Sequence, residues 1–265
     1  MLIATLKVPL YFLFCVLISL LQAPLSHASS VRILTENYAP YNYLKDGKLN
    51  GIGAEIVQEM IKRFENKPAI EVLPWKRAYQ MTSDMPNIGL FSITRTQERE
   101  EQFYWVGPIF RVADYIYILR SSRFSGDSYQ SLKDMSSIGI QAGGAKHLAL
   151  QKQGFENLTP IYLVDQQVKL LLGGRIQALQ VSDLAMQFDL KRLGLPISGV
   201  RPIASFPRSD LYLAFSRSTD QDEVGKWRKV FKEIVADGTH EKLLQKYFVS
   251  PPYWKETPII RLKQK

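Results

Sequence analysis

Short apolar runs that alternate with segments of helical period constrain this chain more than any other feature. Val31–Leu34, Ala69–Leu73, Ile88–Ile93, Val112–Leu119, Ser137–Gln141, Pro160–Leu163, Ile176–Val181 and Leu211–Phe215 read as strands. Between them, Ile52, Ile56, Met60 and Phe64 fall four apart and mark one face of a helix over Gly51–Phe64. Further helices are expected over Trp75–Thr82, Lys146–Gln153, Gln166–Leu172, Leu184–Leu193, Gly225–Ala236 and Thr239–Phe248. Gly173-Gly174 and Gly194 close two of them, and Ser250-Pro251-Pro252 stops the last, because proline cannot continue a helix. Lys45–Lys48 reads as a hairpin-type turn. Strands that alternate with helices argue for an α/β sheet architecture.

The first thirty residues follow a different rule. Lys7 is the only charge before Arg32, and Val8–Leu21 is an apolar run too short to span a bilayer comfortably. Ser26-His27-Ala28 then supplies a small-x-small cleavage pattern. This is the anatomy of an export signal over residues 1–28, in preference to a membrane anchor. The one cysteine, Cys15, lies inside the apolar run, which argues against a lipid anchor and leaves no cysteine for a disulfide or a zinc site beyond it. With 46% apolar and 22% charged residues, the chain can build a core without such staples.

The formal net charge of +9 invites a nucleic-acid partner. Its distribution argues otherwise. From Gly225 onward there are ten Lys/Arg against four Asp/Glu, so the excess is a solvated terminal face rather than a groove. Export points the same way.

Four local patterns carry a family resemblance. Tyr38-Ala39-Pro40-Tyr41 precedes Gly47–Glu55, a turn leading into Gly51-Ile52-Gly53-Ala54-Glu55. Thr96-x-x-Arg99 precedes Trp105-Val106-Gly107-Pro108. Leu171–Ala178 reads Leu-Leu-Gly-Gly-Arg-Ile-Gln-Ala, and Asp237-Gly238-Thr239-His240-Glu241-Lys242-Leu243 precedes Lys246-Tyr247-Phe248. In this order and spacing they resemble the periplasmic solute-binding proteins of the type 3 family, whose best-known members bind amino acids for ABC transporters. The resemblance spans about residues 31–248. It implies two α/β lobes joined by two hinge crossings, with a ligand cleft between them. Lobe one would be 31–112 plus 211–265, and lobe two 117–206, with crossings at Val112–Leu119 and Ser205–Leu211. Such lobes close by hinge motion.

The resemblance also implies site residues. A guanidinium matches a carboxylate through two parallel bonds, and the family's Arg in this position grips the ligand carboxylate; here it is Arg99. Thr94 and Ser92 match positions that add hydroxyl or backbone donors. Gly143-Gly144-Ala145 precedes a helix, whose N-terminal N–H groups favour an anion, and Gly144 is taken as the contact from lobe two. Tyr38 and Tyr41 would wall the site. Trp75 matches an aromatic wall position, and a lobe-core role is the alternative. Arg77 is read either as a second cationic contact or as a surface helix residue.

The family's ammonium-binding acid falls at Ser182 here, with Asp183 one residue later. A one-residue shift along a strand turns a side chain to the other face, although a bulge can restore it. Asp183 and Glu36 are therefore both candidates for a ligand amine. Gln177 replaces the family's Asp after Gly-Arg, and Glu55 reads as a first-turn acid serving its helix.

The functional expectation is an exported protein that captures a small carboxylate-bearing ligand, an amino acid or a related compound, and delivers it to a membrane permease. Handing the loaded form to a membrane receptor is the alternative, with a non-amino-acid anion as ligand. The expected state is a monomer in the periplasm with no cofactor, no metal and no nucleic-acid partner. An enzyme is disfavoured. Beyond the export segment the chain has His147 and His240 only, in different lobes, and neither Gly-x-Ser-x-Gly nor His-Glu-x-x-His occurs.

Overall fold

In a computed structural model, the structure describes residues 31–248 and 260–262. The expected export segment and the Ser250-Pro251-Pro252 stop lie outside the described residues.

The first half of the chain builds β1 (Arg32–Thr35), the hairpin strands β2 (Tyr43–Lys45) and β3 (Lys48–Asn50), α1 (Ile52–Ile61) and β4 (Ile70–Val72). It continues with α2 (Trp75–Asp84), β5 (Ile88–Thr94), a 3₁₀ turn over Gln97–Gln102, and β6 (Phe103–Val112). Next come β7 (Asp114–Leu119), α3 (Tyr129–Lys133), β8 (Ile138–Gln141), α4 (Ala145–Lys152), β9 (Leu158–Ile161) and α5 (Gln167–Leu172). The chain then forms β10 (Ala178–Ser182), α6 (Asp183–Arg192), β11 (Val200–Ser205), β12 (Ser209–Ser216), α7 (Gln221–Ala236), α8 (Thr239–Tyr247) and β13 (Ile260–Arg261).

The longer strands divide between two sheets, one per lobe. The first has the order β4-β1-β5-β12-β6, with β1 parallel to β4 and β5 and with β12 antiparallel to β5 and β6. The second has the order β13-β11-β7-β10-β8-β9. There β8, β9 and β10 are parallel, and β7 is antiparallel to β10 and β11. The α/β alternation read from the sequence is thus present in both lobes.

Each sheet buries its faces against helices. Leu34, Ile88, Leu90, Phe103 and Ala214 pack with Ala78 of α2. On the other face of the first sheet, Trp227 of α7 lies against Phe215 and Phe64, with ring centroids 5.4 and 4.5 Å away. In the second lobe, Ile116, Ile118, Ile138, Ile140 and Ala178 pack with Leu132, Leu150 and Leu262.

Several expected elements differ from those observed. Val112–Leu119 is not one strand. It breaks at Ala113, where the chain leaves the first sheet and enters the second. The Ala113 carbonyl accepts from Asp183 N–H at 2.9 Å, and the Asp114 carbonyl from Phe206 N–H at 3.0 Å. The return path runs between Ser205 and Ser209. Strands β6, β11 and β13 have no counterpart among the strands expected from the sequence. The expected division places residues 211–265 together in lobe one, yet the described tail joins the second sheet. Ile260 and Arg261 pair with Ala204 and Ser205, and Leu262 N–H donates to Ser205 O at 2.8 Å. The pairing covers backbone groups of β11 that would otherwise form an open edge.

The basic C-terminal helices are partly ion-paired. Lys246 donates to both Glu55 carboxylate oxygens at 2.7 and 2.8 Å, Lys226 pairs with Glu223 at 3.0 Å, and Arg63 pairs with Asp237. Glu55 therefore ties α1 to α8 in addition to sitting in a first turn.

Candidate ligand-binding cleft

Residues of both sheets line a cavity of about 80 Å³. Its polar lining collects at the carboxyl ends of strands, where open α/β sheets place ligands. Glu36 follows β1, Thr94 ends β5, Gln141 ends β8 and Ser182 ends β10.

Arg99 is the dominant charge. Its residue is 4% exposed, held on the 3₁₀ turn after β5. The guanidinium carbon lies 4.9 Å from the Tyr79 ring centroid and 5.5 Å from that of Trp75. Both rings are half-buried on the inward side of α2, and cation–π contact orients the fork. Nη1 donates to Thr94 O at 3.2 Å. Among the described residues no carboxylate lies within ion-pair distance of it. Burial lowers its pKa, but arginine remains charged at any working pH.

Ser92 is unusual for a residue inside a strand. Its φ is +63°, a left-handed value rare for a non-glycine residue. Opposite it the register between β5 and β12 slips, because Ile93 pairs with Tyr212 but Phe91 with Leu213. The slip is a bulge that re-aims the side chain. Ser92 Oγ is buried and has no hydrogen-bond partner among the described residues. It lines the cavity beside Arg99 and Thr94.

Glu36 is 7% exposed and accepts from Gln141 Nε2 at 2.6 Å. Burial pushes its carboxyl up to about 7, against the smaller lowering by the Gln141 bond. No cation pairs with it among the described residues.

Four residues not anticipated from the sequence form a second polar cluster. Lys146, in the first turn of α4, is 8% exposed. Its Nζ donates to Ser209 Oγ at 2.9 Å and lies 4.0 Å from Asp114 Oδ2. Gln180 Nε2 donates to Asp114 Oδ1 at 3.3 Å. Burial raises the Asp114 carboxyl and lowers the Lys146 ammonium, while their mutual attraction opposes each shift.

The lobes also touch each other directly. Tyr41 OH donates to Ser182 Oγ at 2.5 Å, and Trp75 Nε1 donates to Gly143 O at 3.2 Å. Tyr41 stacks on Phe110 at 5.4 Å and meets the Tyr38 ring edge-on at 5.4 Å. Lys152 pairs with Glu98 across the mouth at 2.6 Å.

The structure thus brings Arg99, Thr94, Ser92, Tyr38, Trp75, Gly144 and Glu36 to one cavity and leaves two expected residues out of it. Arg77 lies on the exposed side of α2, since Trp75, Ala78 and Thr82 set the inward stripe and residue 77 falls off that period. Asp183 begins α6 and accepts from Gln187 Nε2 at 2.6 Å; Ser182, one residue earlier, faces the cavity. No bulge restores the acid. The Gly144 expectation also changes in detail. The Gly144 N–H donates to Gln141 O and the Gly143 N–H to His147 Nδ1, so neither is open to an anion.

The model of the bacterial extracellular solute-binding proteins, family 3, matches residues 31–250. The arginine-binding extracellular protein ArtP of Bacillus subtilis (strain 168) is 22% identical over 223 residues, 80% of this chain and 83% of that protein. Among solved structures, a histidine kinase sensor domain with similarity to periplasmic binding proteins superposes with a TM-score of 0.73 at 16% identity. It covers 82% of this chain and 96% of its own. An ancestral arginine-binding protein bound to arginine gives 0.71 at 20% identity, covering 83% and 98%.

Proposed function

The chain belongs to the bacterial extracellular solute-binding proteins of family 3, and from that premise we propose that it captures a small carboxylate-bearing ligand, an amino acid or close relative, in the cleft between its lobes. The observation that carries this reading is Arg99. A guanidinium 4% exposed, with no carboxylate at ion-pair distance among the described residues, is costly to bury alone. A ligand carboxylate would supply the missing partner through a bidentate pair. Ser92 Oγ and the Thr94 hydroxyl stand ready at the same wall. Trp75 and Tyr38 would cover the ligand's apolar faces.

The chain acts by binding rather than by chemistry in this reading. Closure about the crossings at Ala113 and at 206–208 would form the cross-cleft contacts of Tyr41, Trp75 and Glu98, and the closed form would be handed to a membrane permease. The export segment at residues 1–28 would place it in the periplasm. The test is a thermal-shift screen of amino acids and organic acids on the chain from residue 31 onward. A ligand at a hundred times its Kd should add about 2.7 kcal/mol of stability. The reading fails if nothing in the screen shifts the wild type, or if a hit shifts Arg99→Ala equally.

A further inference from the structure

The ligand's charge class follows from four groups. Arg99, Lys146, Asp114 and Glu36 are the basic and acidic side chains of the cavity wall besides His147. Of the others, His147 has its pKa lowered by burial and the phenols of Tyr38 and Tyr41 are raised, so all three are neutral. With Glu36 ionised the four sum to zero, and with Glu36 protonated to +1. Two cations face two carboxylates, so the wall lacks the excess of acids that would offset the net positive charge of a basic amino acid taken out of water.

The position of the lysine sharpens this. An ammonium has three donors. Ser209 Oγ takes one, and Asp114 at 4.0 Å lies beyond hydrogen-bond length. Donor capacity therefore remains on a side chain that is 8% exposed and lines the cavity. Asp114 is itself shared with Gln180. This is a second cationic pole, carried by the second lobe, whereas Arg99 is carried by the first.

Resting on the binding reading above, we propose that Lys146 is the specificity-determining residue: it receives a second carboxylate of the ligand, so the cleft takes acidic amino acids in preference to basic ones. Arg99 would hold the α-carboxylate and Glu36 the ammonium. A guanidinium or ammonium side chain in the same place would meet Lys146 as a like charge, and like-charge juxtaposition is strongly unfavourable.

The experiment is calorimetric titration of glutamate, aspartate and arginine into the wild type near neutral pH. The Lys146→Gln and Lys146→Met variants follow, each checked for folding by a thermal scan. The expected result is glutamate or aspartate bound at least about tenfold more tightly than arginine, with the preference lost in either variant. Arginine bound by the wild type as tightly as the acidic ligands overturns the proposal while leaving the binding reading intact. So does a folded variant with unchanged preference. Failure of all three ligands, together with a silent wider screen, overturns the binding reading itself. Because the first comparison uses the wild type, it stands even where a variant does not fold.

Discussion

Replacing Glu36 by glutamine tests the electrostatics of the cleft without any ligand. The carboxyl ionises near 4.5 in the unfolded chain and at about 7 in the native state, where burial disfavours its charge. Between those values the native state holds a proton that the unfolded state has released. Stability therefore falls as pH rises from about 4.5 to about 7 and is level on either side with respect to this group. At about 1.36 kcal/mol per unit, the shift amounts to about 3 kcal/mol of stability lost by the wild type above that window. Glutamine keeps a carbonyl for the Gln141 amide and has no charge to bury, so the variant escapes the loss. Urea denaturation at about pH 4 and about pH 8 should show the stability difference between variant and wild type growing by about 3 kcal/mol in the variant's favour. Calorimetry should show the corresponding gain in Tm, roughly 6–12 °C at 2–4 °C per kcal/mol. A difference that is the same at both pH values would refute the reasoning, because it would mean that Glu36 is not paying a burial cost.

Tyr41→Phe removes the 2.5 Å bond to Ser182 and should cost about 1 kcal/mol in denaturant unfolding, while an unchanged midpoint would show the bond to be of no consequence. Gly53→Ala would place a methyl 2.4 Å from Ser92 Oγ and 3.0 Å from the Phe110 ring, so it should destabilise by about 1–3 kcal/mol. A neutral Gly53→Ala would argue against the tight seating of the bulge on α1. Arg77→Ala, on the exposed side of α2, should leave ligand affinity within about twofold, and a larger loss by calorimetry would return Arg77 to the site.

Much of this was readable from residues alone, for identifiable reasons. The strands over 31–34, 88–93 and 137–141 are apolar on both faces because helices cover both sides, and such runs stand out without any partner. Strands β6 and β11 were hidden by proline. Pro108 and Pro202 interrupt patterns that otherwise read as strands, and both sit where the observed register slips. In the site, Arg99 and its neighbours lie on one local segment and could be found together. Lys146 could not, because its burial depends on Ser209 and Asp114, which are far away in sequence; at the start of a helix it looks like any solvated lysine. Gln141 closes an expected strand two residues before Gly143, so strand-end logic finds it. Arg77 could have been excluded by period, since positions 75, 78 and 82 already define the inward stripe. Family spacing falls on Ser182, where β10 ends, and Asp183 one residue later already belongs to α6.

The central claim is that Arg99 clamps a ligand carboxylate in the cleft. The most direct measurement is calorimetric titration, into wild type and into Arg99→Ala, of whichever amino acid or organic acid the thermal screen identifies. The account predicts tight binding by the wild type and a loss of at least about 2 kcal/mol, roughly thirtyfold in Kd, in the variant. Equal affinity in a folded Arg99→Ala protein would contradict it.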